Sequence, residues 1–171
     1  MVFKSLSVEL QEKIKKVRML ILDVDGVMTD GRIWWIEGTG WTRAFSIKDG
    51  YGLKLLMKAG FDVAVISGGD SKSVRERAQF LGIKHVYLGD ENKLVAIEKI
   101  RGATGFTNDQ FAFVGDELFD IPVLKIVGFS ATVPHAVSEV KEEVDYVTQE
   151  PGGFGAVREV ADLIRTAGNE P

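Results

Sequence analysis

The 171-residue chain has no cysteine and only two histidines. Without cysteine there can be no disulfide, no thiolate metal centre and no cysteine nucleophile. The same absence fits a reducing compartment, so the expected location is the cytoplasm. His85 and His135 stand apart from every polar cluster in the sequence and are given no catalytic role. No apolar run approaches the ~20 residues that cross a bilayer. Met1 to Lys16 is charged and amphipathic rather than an apolar leader, so no membrane association or export signal is expected. An excess of positive charge is also missing. The net charge is -4 and the pI is about 5.3, which argues against nucleic acid as a partner. No linker, repeat or low-complexity segment interrupts the chain. One domain over residues 1–171 is expected, with a core from about 17 to 166.

What is present is a strand–helix alternation. Hydrophobic residues make up 45% of the chain, enough for a sizeable core. The pattern predicts a short helix over 8–15 with Ser7 as N-cap, and buried strands at 18–22, 61–66, 84–88, 111–114, 127–131 and 144–147. Between them it predicts helices at 49–59, 71–81 (with Asp70 as N-cap), 91–101, 117–126, about 134–140 and 155–167. Alternation of this kind calls for an α/β fold with a doubly wound, mostly parallel sheet covered on both faces, a three-layer arrangement. Residues 32–47 break the pattern. Apolar stretches flank Glu37-Gly38-Thr39-Gly40, as in a β-hairpin. The adjacent Trp34 and Trp35 would point to opposite faces of it, leaving at least one exposed.

Four polar clusters fall at or just after predicted strand ends: Asp23-Val24-Asp25-Gly26, Ser67-Gly68, Lys93, and Asp116 with Asp120. In a doubly wound sheet these ends share one edge, where ligands bind. Gly26 lets the chain turn, so that Asp23 and Asp25 can both reach that edge. Asp23, Asp25 and Asp116 are oxygen donors suited to Mg²⁺. Ser67 and the N–H groups near Gly68 sit where a helix begins, a good place for a phosphate. Lys93 offers a cation that could neutralise a phosphate or restrain a carboxylate.

In this order the motifs resemble the haloacid dehalogenase (HAD) superfamily of phosphohydrolases. Asp-x-Asp-Gly-Val-x-Thr-Asp-Gly, then Ser-Gly, Lys and Gly-Asp-x-x-x-Asp carry the likeness, which spans about 17–163. Asp49-Gly50-Tyr51-Gly52 and Gly155-Ala156-Val157-Arg158-Glu159 narrow it to the capless branch that dephosphorylates keto-sugar acids. The resemblance implies a HAD-like, Rossmannoid fold with a protruding hairpin. It implies Asp23 as nucleophile, Asp25 as acid/base, Ser67 as a phosphoryl hydrogen-bond donor and Lys93 as charge neutraliser. Mg²⁺ would be held by Asp23, Asp25 and Asp116, with Asp120 behind them, and substrate by Gly68, Lys48 and Asp49. The substrate implied is a small phosphorylated sugar acid, first 3-deoxy-D-manno-octulosonate 8-phosphate, a lipopolysaccharide precursor. The alternatives are KDN 9-phosphate or another small sugar phosphate, or a catalytically weak oligomerisation module.

Only 26 positions separate Ser67 from Lys93, too few for a cap domain. Members of this type cover the open site by forming a homotetramer, a role that Trp34, Trp35 and Trp41 would fit. Three positions depart from the branch. Gly69 and Phe154 replace arginines, and Glu117 replaces an aspartate. Lys48, Lys72 or Arg75 could restore the missing charge.

Overall fold

A computed structural model describes residues 2–168. Met1 and the last three residues of the expected 1–171 domain lie outside the described residues. The chain opens with a 3₁₀ turn and helix α1 (Val8–Lys16), where Ser7 Oγ accepts the Leu10 N–H as expected. Six strands form one sheet: β1 (Met19–Leu22), β4 (Asp62–Ser67), β5 (His85–Leu88), β6 (Phe111–Val114), β7 (Phe129–Thr132) and β8 (Tyr146–Val147). Their order is β5-β4-β1-β6-β7-β8, and every pairing is parallel.

Strand alternation builds the two cores. Leu20 and Leu22 of β1 point to one face, and Met19 and Ile21 to the other. The first face packs on α2 (Ile47–Lys58), α3 (Lys72–Leu81) and α7 (Ala156–Ala167) through Leu53, Leu56, Val74, Val157 and Ile164. The second packs on α4 (Lys93–Thr104), α5 (Ile121–Leu124) and α6 (Ser138–Lys141) through Ile97, Ile100, Val123 and Val140. These are the expected three layers. Among the described residues no helix is long and apolar enough to cross a membrane.

The hairpin is shorter than its sequence suggests. It pairs only β2 (Trp34–Ile36) with β3 (Gly40–Thr42), in register Trp35 to Trp41. The chain then enters α2 two residues early, because Ser46 Oγ accepts the Asp49 N–H and caps the helix there. Trp34 and Trp35 are both exposed, at 46% and 63%, so the hairpin turns an apolar surface to solvent on each side. The helices expected over 117–126 and 134–140 are also shorter. After Glu117 the chain closes a 3₁₀ turn, because the Asp120 carboxylate folds back onto the N–H groups of Asp116 and Glu117. Asp70 is not the cap of α3. That place belongs to Ser71, and Asp70 pairs with Arg75 at 2.5 Å instead.

Candidate active site

The predicted residues gather at the C-terminal edge of β1, β4 and β6. Asp23 follows β1, Ser67 ends β4, and Asp116 lies two residues past β6. Lys93, the first residue of α4, reaches in from across the edge. Its side chain is fully buried and its ammonium donates to Asp23 Oδ1 (2.5 Å) and to Asp120 Oδ1. The two accepting side chains are buried too, at 4% and 0% exposed. Asp120 has no oxygen left idle, since its Oδ2 accepts the Asp116 and Glu117 N–H groups at 2.9 and 3.1 Å. It is therefore a brace: it aims Lys93 at Asp23 and shapes the Asp116 loop.

The turn after Asp23 is built tightly. Gly26 has φ of +92°, a conformation an L-residue rarely adopts. A Cβ there would also collide with the Asp116 carboxylate. The Val24 carbonyl accepts the N–H groups of Val27, Met28 and Thr29. Two further segments hold the loop from below. His135 Nε2 donates to the Gly26 carbonyl at 3.0 Å, and the Gly153 N–H donates to Val27 O at 3.1 Å. Gly152 lies so close that a Cβ would overlap the Gly26 carbonyl oxygen. The glycines before α7 thus form a floor under the Asp23–Asp25 loop. His135, isolated in sequence, belongs to this support.

The charges do not balance. Asp23, Asp116 and Asp120 each offer an oxygen within 4.8 Å of the others, and Lys93 is the only cation hydrogen-bonded to that trio among the described residues. Three carboxylates against one ammonium leave two negative charges in a buried pocket. The Asp116 Oδ1 is buried with no hydrogen-bond partner. Burial in the first place, then the charges of Asp23 and Asp120, push the Asp116 carboxyl up to about 7. Burial likewise raises Asp23, against the pull of Lys93. Burial alone would lower Lys93, but the two carboxylates outweigh it and hold the ammonium charged. A doubly charged hard cation fits this donor set and charge deficit.

The metal-free protein should be sensitive to pH. Carboxyls raised in the fold bind protons that the unfolded chain, with ordinary values near ~4, has already lost. Stability should therefore fall as pH rises from about 4 through about 7. Bound Mg²⁺ requires the ionised carboxylates, so its stabilising effect should grow over the same range. Thermal melting with and without Mg²⁺ at about pH 5.5 and 8 checks this. The Mg²⁺-induced rise in Tm should be larger at the higher pH, and equal shifts would contradict the assignment of these carboxylates.

Asp25 faces another way. Its carboxylate is partly open and held by Arg43, just past β3: Nε to Oδ1 at 2.5 Å and Nη2 to Oδ2 at 2.8 Å. Arg43 Nη1 also donates to Ser71 Oγ at 2.8 Å. Sequence reading missed Arg43, because no motif surrounds it and the sheet topology alone does not bring residues 25, 43 and 71 together. Ser67 is buried and its Oγ accepts the Gly69 N–H (3.2 Å), leaving its own proton to donate outward.

The predicted substrate residues are placed less uniformly. Gly68 lies on the loop after Ser67. Lys48 is exposed and pairs with Glu150 at 3.6 Å. Asp49 is buried, and its Oδ1 accepts the Arg158 N–H at 2.8 Å. The N-cap of helix α7 is Gly155, which has no side chain to cap with, and Asp49 supplies that cap from α2. Burial raises its pKa. Through Oδ1 Asp49 fastens one helix to another, while its Oδ2 is buried without a hydrogen-bond partner. Lys72 and Arg75 pair with Glu76 and Asp70 on the outside of α3. The cation beside Gly69 is Arg43, whose Nη2 lies 3.5 Å from where a Cβ would stand.

A parallel sheet with this order of Asp-x-Asp-Gly, Ser, Lys and Asp at one edge defines the HAD-like hydrolases. The chain belongs to that family: its model, haloacid dehalogenase-like hydrolase, matches residues 79–158, and the relatives cover nearly the whole chain. The 3-deoxy-D-manno-octulosonate 8-phosphate phosphatase KdsC of Escherichia coli K12 is 40% identical over 161 residues, 94% of this chain and 86% of that one. The crystal structure of the Yersinia pestis phosphatase of the same name superimposes with a TM-score of 0.93, at 40% identity, covering 96% and 89% of the two chains. The Moraxella catarrhalis enzyme, solved with magnesium, phosphate and KDO, gives 0.91 at 37% identity over 94% and 92%.

Proposed function

We propose that this chain is a single-domain, Mg²⁺-dependent phosphatase that hydrolyses 3-deoxy-D-manno-octulosonate 8-phosphate in the cytoplasm. The observation that carries the reaction is the buried Lys93 bridging Asp23 and Asp120 beside the unpaired Asp116. The substrate rests on the relatives' activity and on similarity over nearly the full chain.

Asp23 attacks phosphorus, the bond to the sugar oxygen breaks, and the phosphoryl group passes to the Asp23 carboxylate. Lys93 favours the ionised form of Asp23 against the effect of burial and, by bonding Oδ1, leaves Oδ2 free. Asp25 gives a proton to the departing sugar oxygen. It then takes one from a water that attacks phosphorus, releasing inorganic phosphate and restoring Asp23. Ser67 and the Gly68 N–H hold the phosphoryl oxygens, since this chemistry depends mainly on positioning and charge neutralisation. Asp23, Asp116 and the Asp25 carbonyl would hold Mg²⁺, with Asp120 braced behind. The ion supplies the positive charge that lets a phosphate dianion approach a carboxylate. The exposed tryptophan hairpin supports a homotetramer in which neighbouring copies cover the open site.

A substrate panel tests the reading. With Mg²⁺, kcat/KM should be highest for the octulosonate 8-phosphate, ahead of KDN 9-phosphate and simple sugar phosphates. A preference for another ester would change the substrate and leave the chemistry. No phosphate release across the panel would favour the oligomerisation module.

A further inference from the structure

We propose that Arg43 is a positioning residue for the acid/base, clamping the Asp25 carboxylate in the orientation that serves the leaving group. This inference rests on the reading of Asp25 given above. Among the described residues, nothing but Arg43 hydrogen-bonds to the Asp25 carboxylate. The Asp25 side chain is 36% exposed and sits in the loop after β1, with Arg43 as its hydrogen-bond anchor. Arg43 is the opposite: its side chain is 7% exposed, and its third contact, to Ser71, ties it to the start of α3. A planar guanidinium bonding both oxygens sets the plane of the carboxylate as well as its position. Each oxygen keeps a second lone pair for the proton that Asp25 must carry.

The small residue at position 69 leaves this clamp uncrowded. Were residue 69 to carry a Cβ, it would lie 3.5 Å from Arg43 Nη2, 3.8 Å from Ser67 Oγ and 3.9 Å from Asp25 Oδ2. A longer side chain there would compete with the guanidinium for the space over Asp25 and Ser67. Gly69 and Arg43 are thus two halves of one arrangement. The cation at the mouth comes from the hairpin exit, because the loop after Ser67 provides none.

Leaving-group dependence tests the proposal in the full chain with Mg²⁺. A sugar alkoxide needs the proton from Asp25, whereas p-nitrophenolate departs without one. Taking kcat/KM isolates the steps through phosphoryl transfer to Asp23. Arg43→Met should lower the ratio of kcat/KM for the best alkyl phosphate to that for p-nitrophenyl phosphate by about tenfold or more, part of the ~10²–10⁴ that general acids contribute. Arg43→Lys, which keeps the charge but loses the fork, should recover part of the ratio. An unchanged ratio in Arg43→Met, beside a fallen ratio in Asp25→Asn, would overturn the role of Arg43 alone. An unchanged ratio in Asp25→Asn would overturn the acid/base reading and this inference with it. Because the readout is a ratio of two substrates on one preparation, partial unfolding of a variant cancels.

Discussion

Asp23→Asn is expected to lower kcat/KM by on the order of 10⁴-fold or more, the largest kinetic effect of any single change in this chain. The amide is almost the same size, so the loop over Gly26 should keep its shape. What is lost is nucleophilicity, together with the negative charge on one of the two acceptors of the Lys93 ammonium. Substrate binding should suffer far less than kcat, because the Ser67 hydroxyl and the Gly68 N–H are untouched. Steady-state kinetics on the best substrate of the panel checks this, with melting to confirm the fold. Activity within tenfold of the parent would mean that Asp23 is not the attacking group.

Lys93→Met is expected to have the largest effect on stability. The side chain is buried with the carboxylates of Asp23 and Asp120, and methionine fills a similar volume without a charge. Removing one partner of a buried ionic network leaves the others uncompensated, at a cost of about 3–5 kcal/mol. Urea unfolding at pH 8 without metal should show this loss. At about pH 6 the loss should shrink, because the Asp23 carboxyl, raised by burial, can take up a proton. A variant as stable as the parent would show that the ammonium only breaks even against its own desolvation. Its kcat should fall steeply as well, since Asp23 loses the contact that orients it.

Much of this arrangement is legible in the sequence. Asp23, Ser67, Lys93 and Asp116 each follow or precede a recognisable strand or helix. Parallel topology then brings those ends to one edge whatever the details. The hairpin is legible from its turn residues, and its exposed tryptophans from their adjacency. What escapes is whatever depends on a side chain reaching across elements. Arg43 is one arginine after a short strand, and only the folded hairpin exit shows that it reaches Asp25. His135 and Gly152 meet at the Gly26 carbonyl from more than a hundred residues away. Asp49 looks like a binding residue because it opens a helix beside a motif, yet it caps a different helix, α7. Asp120 stands with Asp23 and Asp116 as the sequence suggests, but its further work, holding Lys93 and the Asp116 loop, shows only in the fold. The helix ends moved for a different, local reason: side-chain caps at Ser46 and Asp120 outweigh the hydrophobic pattern that sets the expected boundaries.

The central claim is that the phosphoryl group passes through Asp23. Rapid acid quenching of the enzyme during turnover, followed by peptide mass analysis, tests it most directly. One phosphoryl group is expected on the peptide containing Asp23, labile to hydroxylamine, missing in Asp23→Asn and, with p-nitrophenyl phosphate as the donor, more abundant in Asp25→Asn. A phosphoryl group on another residue, or phosphate release by Asp23→Asn at the parent rate, would contradict it.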